Sequence, residues 1–401
     1  MGMESDVRNQ ESRIAFHTSY FMLPDGRVTL ARLPGVPEPG PANAALCVAA
    51  RHVEAGSVFV AGPGLAASAL WASRAGARAT AWTDNFSEAI SLRATYTKNA
   101  LSLYLNFRDG NPANTPQSDV NKVHVQADFA SLDLENCDLA LLHLPRGRAL
   151  QDEMLRAAAA VLKPGSRLIF VGAKNEGIKG AVKNARAIFG HAGIVTHKGG
   201  YHAGLALRQK GTFPLPEIEW QEDNIVVDND PAKLISCAGV FAAGRLDDGA
   251  AALIAAMRIE RNARVLDLGC GAGVVALSAL RRGACVECVD VSARAVAATR
   301  RTLAANGYPG APVHLDCGAS SLADGIFDIV VTNPPFHQGH GVDFEVSQLF
   351  VREAARVLKQ GGKLYLVANA FLSYRSWLEA GFSRVGITWE DKRFRVWEAI
   401  K

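Results

Sequence analysis

The stretch RVLDLGCGAGVVALSALRRGACVECVD, Arg264 to Asp290, holds a complete strand, turn, helix and strand unit. A hydrophobic run delivers Asp267, a glycine-rich turn follows, and a helical pattern then leads into a second β-type run that ends at Asp290. Strands that alternate with helices are typical of parallel sheets. This stretch therefore predicts a βαβ unit.

The same alternation continues to the C-terminus. Strands are predicted at PVHLD, DIVVTNPP and KLYLVAN, and helices at AVAATRRTLAANG and VSQLFVREAARVLKQGG. Trp377 to Ile400 supplies one more helix and two closing strands. We therefore expect an α/β fold with a mostly parallel, doubly wound sheet and an antiparallel closing strand.

The N-terminal half repeats this order in three blocks. SVFVAGPGLAASALWASRAG parallels RVLDLGCGAGVVALSALRRG, and later VHVQADFASLDLENCDLALLHLP parallels VHLDCGASSLADGIFDIVVTNPP. AAAAVLKPGSRLIFVGA parallels EAARVLKQGGKLYLVAN. The chain thus reads as two copies of one domain, 1–215 and 216–401, and the Pro-rich and acidic stretch 209–234 between them predicts a boundary near residues 210–225.

The two copies differ where a binding site would lie. The second copy carries different residues from the first at the positions of the predicted site: Asp267 against Val60, Gly273 against Ala66, Asp316 against Gln126, and Asn333-Pro334-Pro335-Phe336 against His143-Leu144-Pro145-Arg146. We therefore expect the first copy to be degenerate, with no cofactor site.

Bulk composition fits a globular protein of about two domains. The chain has 401 residues, 49% hydrophobic and 20% charged, and its net charge of +4 is compatible with a polyanionic partner without demanding one. No apolar run approaches the roughly 20 residues of a membrane span, and the N-terminus lacks an apolar signal core. We expect a cytoplasmic protein without a membrane partner.

Cysteine usage argues against a metal site. The seven cysteines are scattered, and Cys285 with Cys288 forms the single C-x-x-C, inside a predicted strand. No second pair lies at zinc-ligand spacing. The sequence predicts reduced thiols and no bound metal.

Carboxylates and glycines at strand ends indicate the ligand. Gly269, Gly271 and Gly273 would let the backbone approach a ligand closely. Asp290, about 20 residues beyond the turn, suits the hydroxyls of a ribose, and Asp316 ends the next strand. Asp267 within the turn motif suits a cationic ligand without phosphate, so S-adenosylmethionine fits better than NAD.

These residues resemble the class I S-adenosylmethionine-dependent methyltransferases, with DLGCGAG as the first motif and Asp290 as the ribose acid. NPPF, Asn333 to Phe336, is similar to the fourth motif of enzymes that methylate exocyclic or amide nitrogens. TNPPFHQG, EAARVLKQGGKLYLVANAFLSY and GVFAAGRLDDG together resemble bacterial ribosomal RNA guanine-N2 methyltransferases of the RsmC and RlmG type.

This resemblance covers nearly the whole chain and implies two tandem Rossmann-like methyltransferase domains, the first one degenerate. It also implies that Phe241, Gly244 and Asp247 border the methionine end of the cofactor. A plain turn before a helix is the alternative interpretation of these three residues.

NPPF has a chemical interpretation as an acceptor site. The exocyclic amine of guanine is a poor nucleophile, and an enzyme helps by accepting its hydrogens and fixing its orientation. The Asn333 side-chain carbonyl and the Pro334 backbone carbonyl would accept these hydrogens, while Phe336 stacks on the base. Pro335 and His337 would line the base. The released proton can pass to water, so no general base is required, although His337 or His340 could serve as one.

The predicted reaction is methyl transfer to N2 of a guanine in ribosomal RNA, with the 16S RNA of the small subunit preferred. Other acceptors remain open: a guanine of 23S RNA, adenine N6 or a protein glutamine. An RNA-binding assembly factor is the non-enzymatic alternative. We expect a monomer whose first copy grips RNA or stabilises the fold, with these candidate phosphate contacts: Arg146, Arg148, Lys174, Lys179 and Lys183.

Overall fold

The structure is a computed structural model that describes residues 17–23, 26–34, 36, 40–99, 103–107, 121–130, 132–198, 200–241, 244–335 and 341–401. Two compact units share these residues, with the division between Ile218 and Glu219. Each unit contains one large sheet and one two-stranded ribbon.

The elements of the first unit are β1 (His17–Leu23), β2 (Gly26–Arg32), α1 (Pro41–Ala50), β3 (Ser57–Ala61), α2 (Ala66–Arg74), β4 (Arg78–Thr83), α3 (Phe86–Lys98), β5 (Leu103–Phe107), β6 (Asn121–Val125), β7 (Cys137–His143), α4 (Arg148–Val161), β8 (Leu162–Ala173), α5 (Ile178–Phe189), β9 (Ala192–Lys198) and β10 (Tyr201–Leu207).

The elements of the second unit are β11 (Gln221–Val227), β12 (Asp230–Ser236), α6 (Asp248–Ala256), β13 (Arg264–Leu268), α7 (Val274–Arg281), β14 (Cys285–Asp290), α8 (Ala293–Ala305), β15 (Val313–Leu315), β16 (Phe327–Thr332), α9 (Gly341–Val357), β17 (Leu358–Asn369), α10 (Arg375–Glu379), β18 (Arg384–Glu390) and β19 (Phe394–Ile400).

The two large sheets have the same strand order. The second unit runs β15-β14-β13-β16-β17-β19-β18, and the first runs β6-β4-β3-β7-β8-β10-β9 with β5 added at the β6 edge. In each sheet the central strands are parallel, and β10 or β19 closes the sheet in antiparallel pairing. The predicted pair of mostly parallel, doubly wound sheets with antiparallel closure is therefore confirmed.

A repeated ion pair at the amino ends of the strands marks the common framework. In the first unit Asp138 accepts a hydrogen bond from the first backbone amide of β3 and pairs with Lys163 at 2.7 Å. In the second unit Asp328 accepts from the first backbone amide of β13 and pairs with Lys359 at 2.6 Å. The edge that lies away from the predicted site has thus kept the same polar contacts in both copies.

The stretch 209–234, which is rich in proline and acidic residues, is not irregular throughout. Its second half forms the hairpin β11–β12, with Asp228 and Asn229 as the two turn residues between Val227 and Asp230. Both turn residues have positive φ, 54° and 67°, which Asp and Asn tolerate better than other side chains. The Asp-Asn pair between the apolar residues Ile225–Val227 and Leu234–Ile235 was the available signal, and the proline and acidic residues obscured it.

The sheet of the second unit is covered on both faces. Alternate residues of β13 enter opposite core clusters, Val265 on one face and Leu266 with Leu268 on the other. Cys285 and Cys288, three residues apart on β14, differ in the same way, since Cys288 is buried and Cys285 exposed. The buried sheet leaves its carboxyl edge, where the loops after β13, β14, β15 and β16 meet, as the place for a site.

Candidate active site

The glycine-rich turn after β13 wraps tightly over the end of β14. The backbone amides of Gly269 and Cys270 both donate to the Val289 carbonyl, at 2.9 and 3.0 Å. Gly271 has φ +56°, and a Cβ built on it would meet no atom within 4 Å. The turn therefore presents bare backbone to open space at the carboxyl edge of the sheet, as a closely bound ligand requires.

Asp290 fixes the outer part of this turn. One carboxylate oxygen accepts from the Gly271 amide at 2.9 Å, and the other accepts from the Ser292 amide at 2.9 Å. Asp290 is only partly buried. The structure thus places it beside the open face of the turn, where the sequence predicted a ribose acid.

Asp267 lies beneath the turn and is only 2% exposed. Its carboxylate accepts from the Ala276 amide at 2.9 Å, which ties β13 to the first turn of α7. Burial, together with repulsion from Asp290, raises the pKa of Asp267 to about 7. Direct contact between Asp267 and a cationic ligand stays a prediction.

The Asp316 carboxylate forms hydrogen bonds with the loop that follows it. Its carboxylate accepts from the backbone amides of Cys317 and Ser321, at 2.7 and 2.8 Å, and from the hydroxyls of Ser320 and Ser321. Burial raises the pKa of Asp316 above its usual range. This carboxylate shapes the 317–321 loop, so ligand contact through its own oxygens stays a prediction.

Asn333 lies beside the glycine-rich turn because β16 pairs with β13. The Thr332 hydroxyl donates to the Leu268 carbonyl at 2.7 Å, directly before the turn. The Asn333 side-chain Nδ2 donates to Asp247 Oδ2 at 3.0 Å. The same Asp247 oxygen accepts from the Ala250 amide at 3.0 Å and so caps α6. Two sequence-predicted residues, 86 positions apart, are thereby brought into contact.

The other predicted residues divide into three groups. Pro334 is buried and Pro335 exposed immediately after Asn333. Phe241 is 63% exposed, in the segment that precedes Asp247. Phe336, His337 and His340 lie outside the described residues.

One aromatic residue at the carboxyl edge of the sheet was not predicted from the sequence as a site residue. Phe371, in the loop after β17, is 67% exposed. Its neighbour Ala370 donates to the Arg393 carbonyl at 2.9 Å, so the 391–393 turn with exposed Lys392 and Arg393 lies alongside. A phenylalanine placed directly after a parallel strand was the signal, because strand ends at this edge form the site.

The corresponding turn of the first unit is covered. Gly64, like Gly271, is the third residue after its strand, but a Cβ built on Gly64 would lie 3.4 Å from Asn43 Oδ1. Asn43 also donates to the Gly64 carbonyl at 3.0 Å. The Gly64 amide donates to Glu88 at 3.0 Å rather than to a carboxylate at the end of β4. Side chains of the first unit itself therefore occupy the space beside the turn.

Both halves of the chain match known protein families. The methyltransferase small domain family matches residues 231–398, and the methyltransferase small domain N-terminal family matches residues 54–194. The ribosomal RNA small subunit methyltransferase C of Hahella chejuensis is 35% identical over 267 residues, which are 66% of this chain and 78% of that protein. The protein of the same name from Chromohalobacter salexigens is 36% identical over 287 residues, 69% of this chain and 82% of that protein. The chain belongs to the ribosomal RNA small subunit methyltransferase C family.

A solved structure from this family matches both units. The T. thermophilus 16S rRNA N2 G1207 methyltransferase (RsmC), in complex with AdoMet and guanosine, is 28% identical, with a TM-score of 0.81. The match covers 96% of this chain and 98% of that one. The resemblance to RsmC-type enzymes inferred from the motifs is thereby confirmed.

Two further features, a membrane-spanning helix and a metal-ligand cluster, are not found in the part of the chain that the structure describes. None of its helices has the length and hydrophobicity needed to cross a membrane. Among the same residues there is no group of three or more His, Cys, Asp or Glu side chains that could hold a metal ion.

Proposed function

We propose that this protein transfers a methyl group from S-adenosylmethionine to N2 of a guanine in 16S ribosomal RNA. The observation that carries the proposal is the position of Asn333, next to an open glycine-rich turn and with its Nδ2 hydrogen-bonded to Asp247. Family membership supports the same reaction, since the relatives are named as small subunit rRNA methyltransferases.

The residues at the turn fit S-adenosylmethionine. The open space beside Gly271 leaves room for a ligand against the backbone. Asp290, at the mouth of the turn, would take the ribose hydroxyls, and the 317–321 loop that Asp316 organises would lie along the base. When bound, this cofactor supplies an electrophilic methyl group on a sulfonium.

The acceptor side of the reaction belongs to Asn333 and Pro334. Asn333 Oδ1 and the Pro334 carbonyl accept the two hydrogens of the guanine amine, which turns the nitrogen lone pair toward the methyl group. Pro335 follows Pro334, and two consecutive prolines restrict the backbone to extended conformations, so the carbonyl is held in place before the base arrives. Phe336 and His337 contact the base, and water takes the released proton.

The surface beside Asn333 suits a nucleic acid. Exposed Phe371 offers a face for a base, and Lys392 and Arg393 offer positive charge for phosphates. A guanine inside a duplex cannot reach the pocket, so the target base is single-stranded or flipped out.

The first unit contributes binding or stability without chemistry. In the first unit Asn43 and Glu88 fill the space beside Gly64, whereas the equivalent space beside Gly271 is open, which supports a first unit with no cofactor of its own. Its exposed basic residues are candidates for phosphate contacts: Arg146, Arg148, Lys174, Lys179 and Lys183. The protein acts in the cytoplasm as a monomer and needs no metal.

The proposal is tested by incubating the purified protein with methyl-labelled S-adenosylmethionine and three acceptors that lack the modification. These acceptors are small subunits, large subunits and free 16S RNA. We expect label in 16S RNA, either free or within the small subunit. Label confined to 23S RNA or to ribosomal protein would contradict the proposed acceptor.

A further inference from the structure

The contact between Asp247 and Asn333 decides which way the Asn333 amide faces. Asp247 Oδ2 already accepts the Ala250 amide as the helix cap, so it meets Asn333 as an acceptor, and the NH₂ group of Asn333 is the end that points to Asp247. The carbonyl Oδ1 then points away from Asp247. An amide without this partner could rotate and present its NH₂ group, which would repel the hydrogens of an acceptor amine.

The chain holds Asp247 itself in a fixed place. Asp247 is the N-cap of α6, and its Oδ2 accepts from the Ala250 amide as well as from Asn333, each at 3.0 Å. One oxygen therefore serves both the helix and the amide. Rotation of the Asp247 side chain away from Asn333 would also break the helix cap.

Gly249 makes the close approach possible. A Cβ built there would lie 3.0 Å from Asp247 Oδ2 and 3.4 Å from Asn333 Oδ1. The first distance is tighter than nine in ten real Cβ contacts, so a side chain at 249 would require the Asp247 carboxylate to shift by a few tenths of an ångström. The first turn of α6 is thus built around the Asp247 to Asn333 hydrogen bond.

We propose that Asp247 is a positioning residue, which orients the Asn333 amide so that Oδ1 faces the acceptor amine. In this role Asp247 acts on the rate of methyl transfer and not on the affinity for S-adenosylmethionine. The inference rests on the proposed function and adds to it the group that presets the acceptor oxygen.

Two substitutions at 247 separate this role from others. Ser caps helices about as well as Asp, but its shorter side chain cannot cap α6 and still reach Asn333. For Asp247→Ser we expect kcat to fall by about 10- to 100-fold, the scale of a displaced reacting group. Asp247→Asn keeps an acceptor oxygen at the same position, so it should regain most of the rate lost in Asp247→Ser. The KM values for both substrates and the Tm should stay close to those of the wild type in both variants.

The matched control is Asp248→Ser, which removes a carboxylate one residue away. Asp248 is exposed at the same helix end and pairs with Arg393 at 2.7 Å instead of with Asn333. Its kcat should equal that of the wild type. In the Asn333→Ala background, which itself should lose at least about 10²-fold in kcat, Asp247→Ser should cause no further loss, since the two residues act as one unit.

A substrate-free measurement tests the hydrogen bond itself. In ¹⁵N-labelled protein, the Asn333 side-chain amide signals, assigned by their loss in Asn333→Ala, should shift in Asp247→Ser and stay in place in Asp248→Ser. Unshifted signals in Asp247→Ser would overturn the proposed contact whatever the acceptor is.

The kinetic outcomes keep the two proposals apart. Wild-type protein that methylates no guanine contradicts the proposed function. Active wild type with undiminished kcat in Asp247→Ser overturns the positioning role alone. A weakened calorimetric affinity for S-adenosylmethionine in both Asp247 variants, with kcat kept at saturation, also overturns it and returns Asp247 to the cofactor site that the motif implied.

Discussion

Single residues distinguish the glycine turns of the two units. Asp290 and Glu88 each accept the amide of the third residue of a glycine turn, Gly271 or Gly64. Asp290 comes from the end of a strand and stays partly exposed, whereas Glu88 comes from inside a helix and is buried. The bond that supports the turn was kept in both units, and only in the second does the carboxylate remain accessible to a ligand.

Glu88 should make the stability of the first unit depend on pH. Burial raises its pKa from 4.5 to about 7, so between these values the native state binds a proton that the unfolded chain releases. The unfolding free energy must then fall as pH rises from about 4.5 to about 7, by up to the order of 3 kcal/mol. Glu88→Gln keeps an oxygen for the Gly64 amide and removes the charge.

We therefore expect the Tm of Glu88→Gln to decrease less than the Tm of the wild type when the pH rises from 5 to 8. Calorimetric unfolding at the two pH values measures this difference. The exposed Glu54→Gln is the control and should behave as the wild type. If the Tm of Glu88→Gln and of the wild type depended on pH in the same way, the buried carboxylate would not be the cause of the decrease in stability with rising pH.

Among the structural elements, the turn between β13 and α7 carries the cofactor prediction. In Gly271→Ala the new Cβ meets no protein atom, so the cost to folding is the strain of a positive φ, about 1 kcal/mol. The same Cβ enters the space assigned to S-adenosylmethionine. We expect at least about ten-fold weaker binding by calorimetry, equivalent to about 1.4 kcal/mol.

Gly307→Ala is the matched control for this variant. Gly307 also has positive φ, and a Cβ there also meets no atom within 4 Å, but it follows α8. It should lose similar stability and bind S-adenosylmethionine normally. Equal binding by both variants would place the cofactor away from Gly271.

The loop after β17 carries the RNA prediction. Base stacking on an aromatic side chain contributes about 1–3 kcal/mol. Phe371→Ala should therefore raise the KM for RNA by about ten-fold or more and leave the KM for S-adenosylmethionine unchanged. Ile387→Ala removes another exposed apolar side chain, from β18, and should change neither constant. An unaltered RNA KM in Phe371→Ala would remove this loop from the proposed RNA surface.

The sequence predicted regular elements better than contacts. Period and turn residues predicted the strands that end near Asp267, Asp290 and Asn333, and a parallel sheet brings these carboxyl ends to one edge. The bond between Asp247 and Asn333 depends on how α6 packs against the sheet, which no local pattern encodes. Asp316 was recognised as a strand-end acid. That its carboxylate accepts four hydrogen bonds from its own loop could be seen only in the structure. Helix α9 was predicted to continue through the LKQGG segment, whereas it ends at Val357 and β17 begins at Leu358.

The whole molecule combines an accessible site in one unit with a covered one in the other. The shared strand order and the repeated aspartate to lysine pair show that both units kept their framework. Because Asn43 and Glu88 close the first turn, we expect calorimetry to give one S-adenosylmethionine per chain. Asp290→Ala should abolish this binding altogether, whereas two sites per chain, or one that survives in Asp290→Ala, would contradict a cofactor-free first unit.

The proposed methyl acceptor is one atom, N2 of a guanine in 16S RNA. The most direct test is to methylate unmodified 16S RNA or small subunits with the wild-type protein, digest the RNA to nucleosides and identify the methylated product by mass spectrometry. We expect N2-methylguanosine, formed by the wild type and at least about 10²-fold more slowly by Asn333→Ala. N6-methyladenosine, or methyl groups found only in protein, would contradict it.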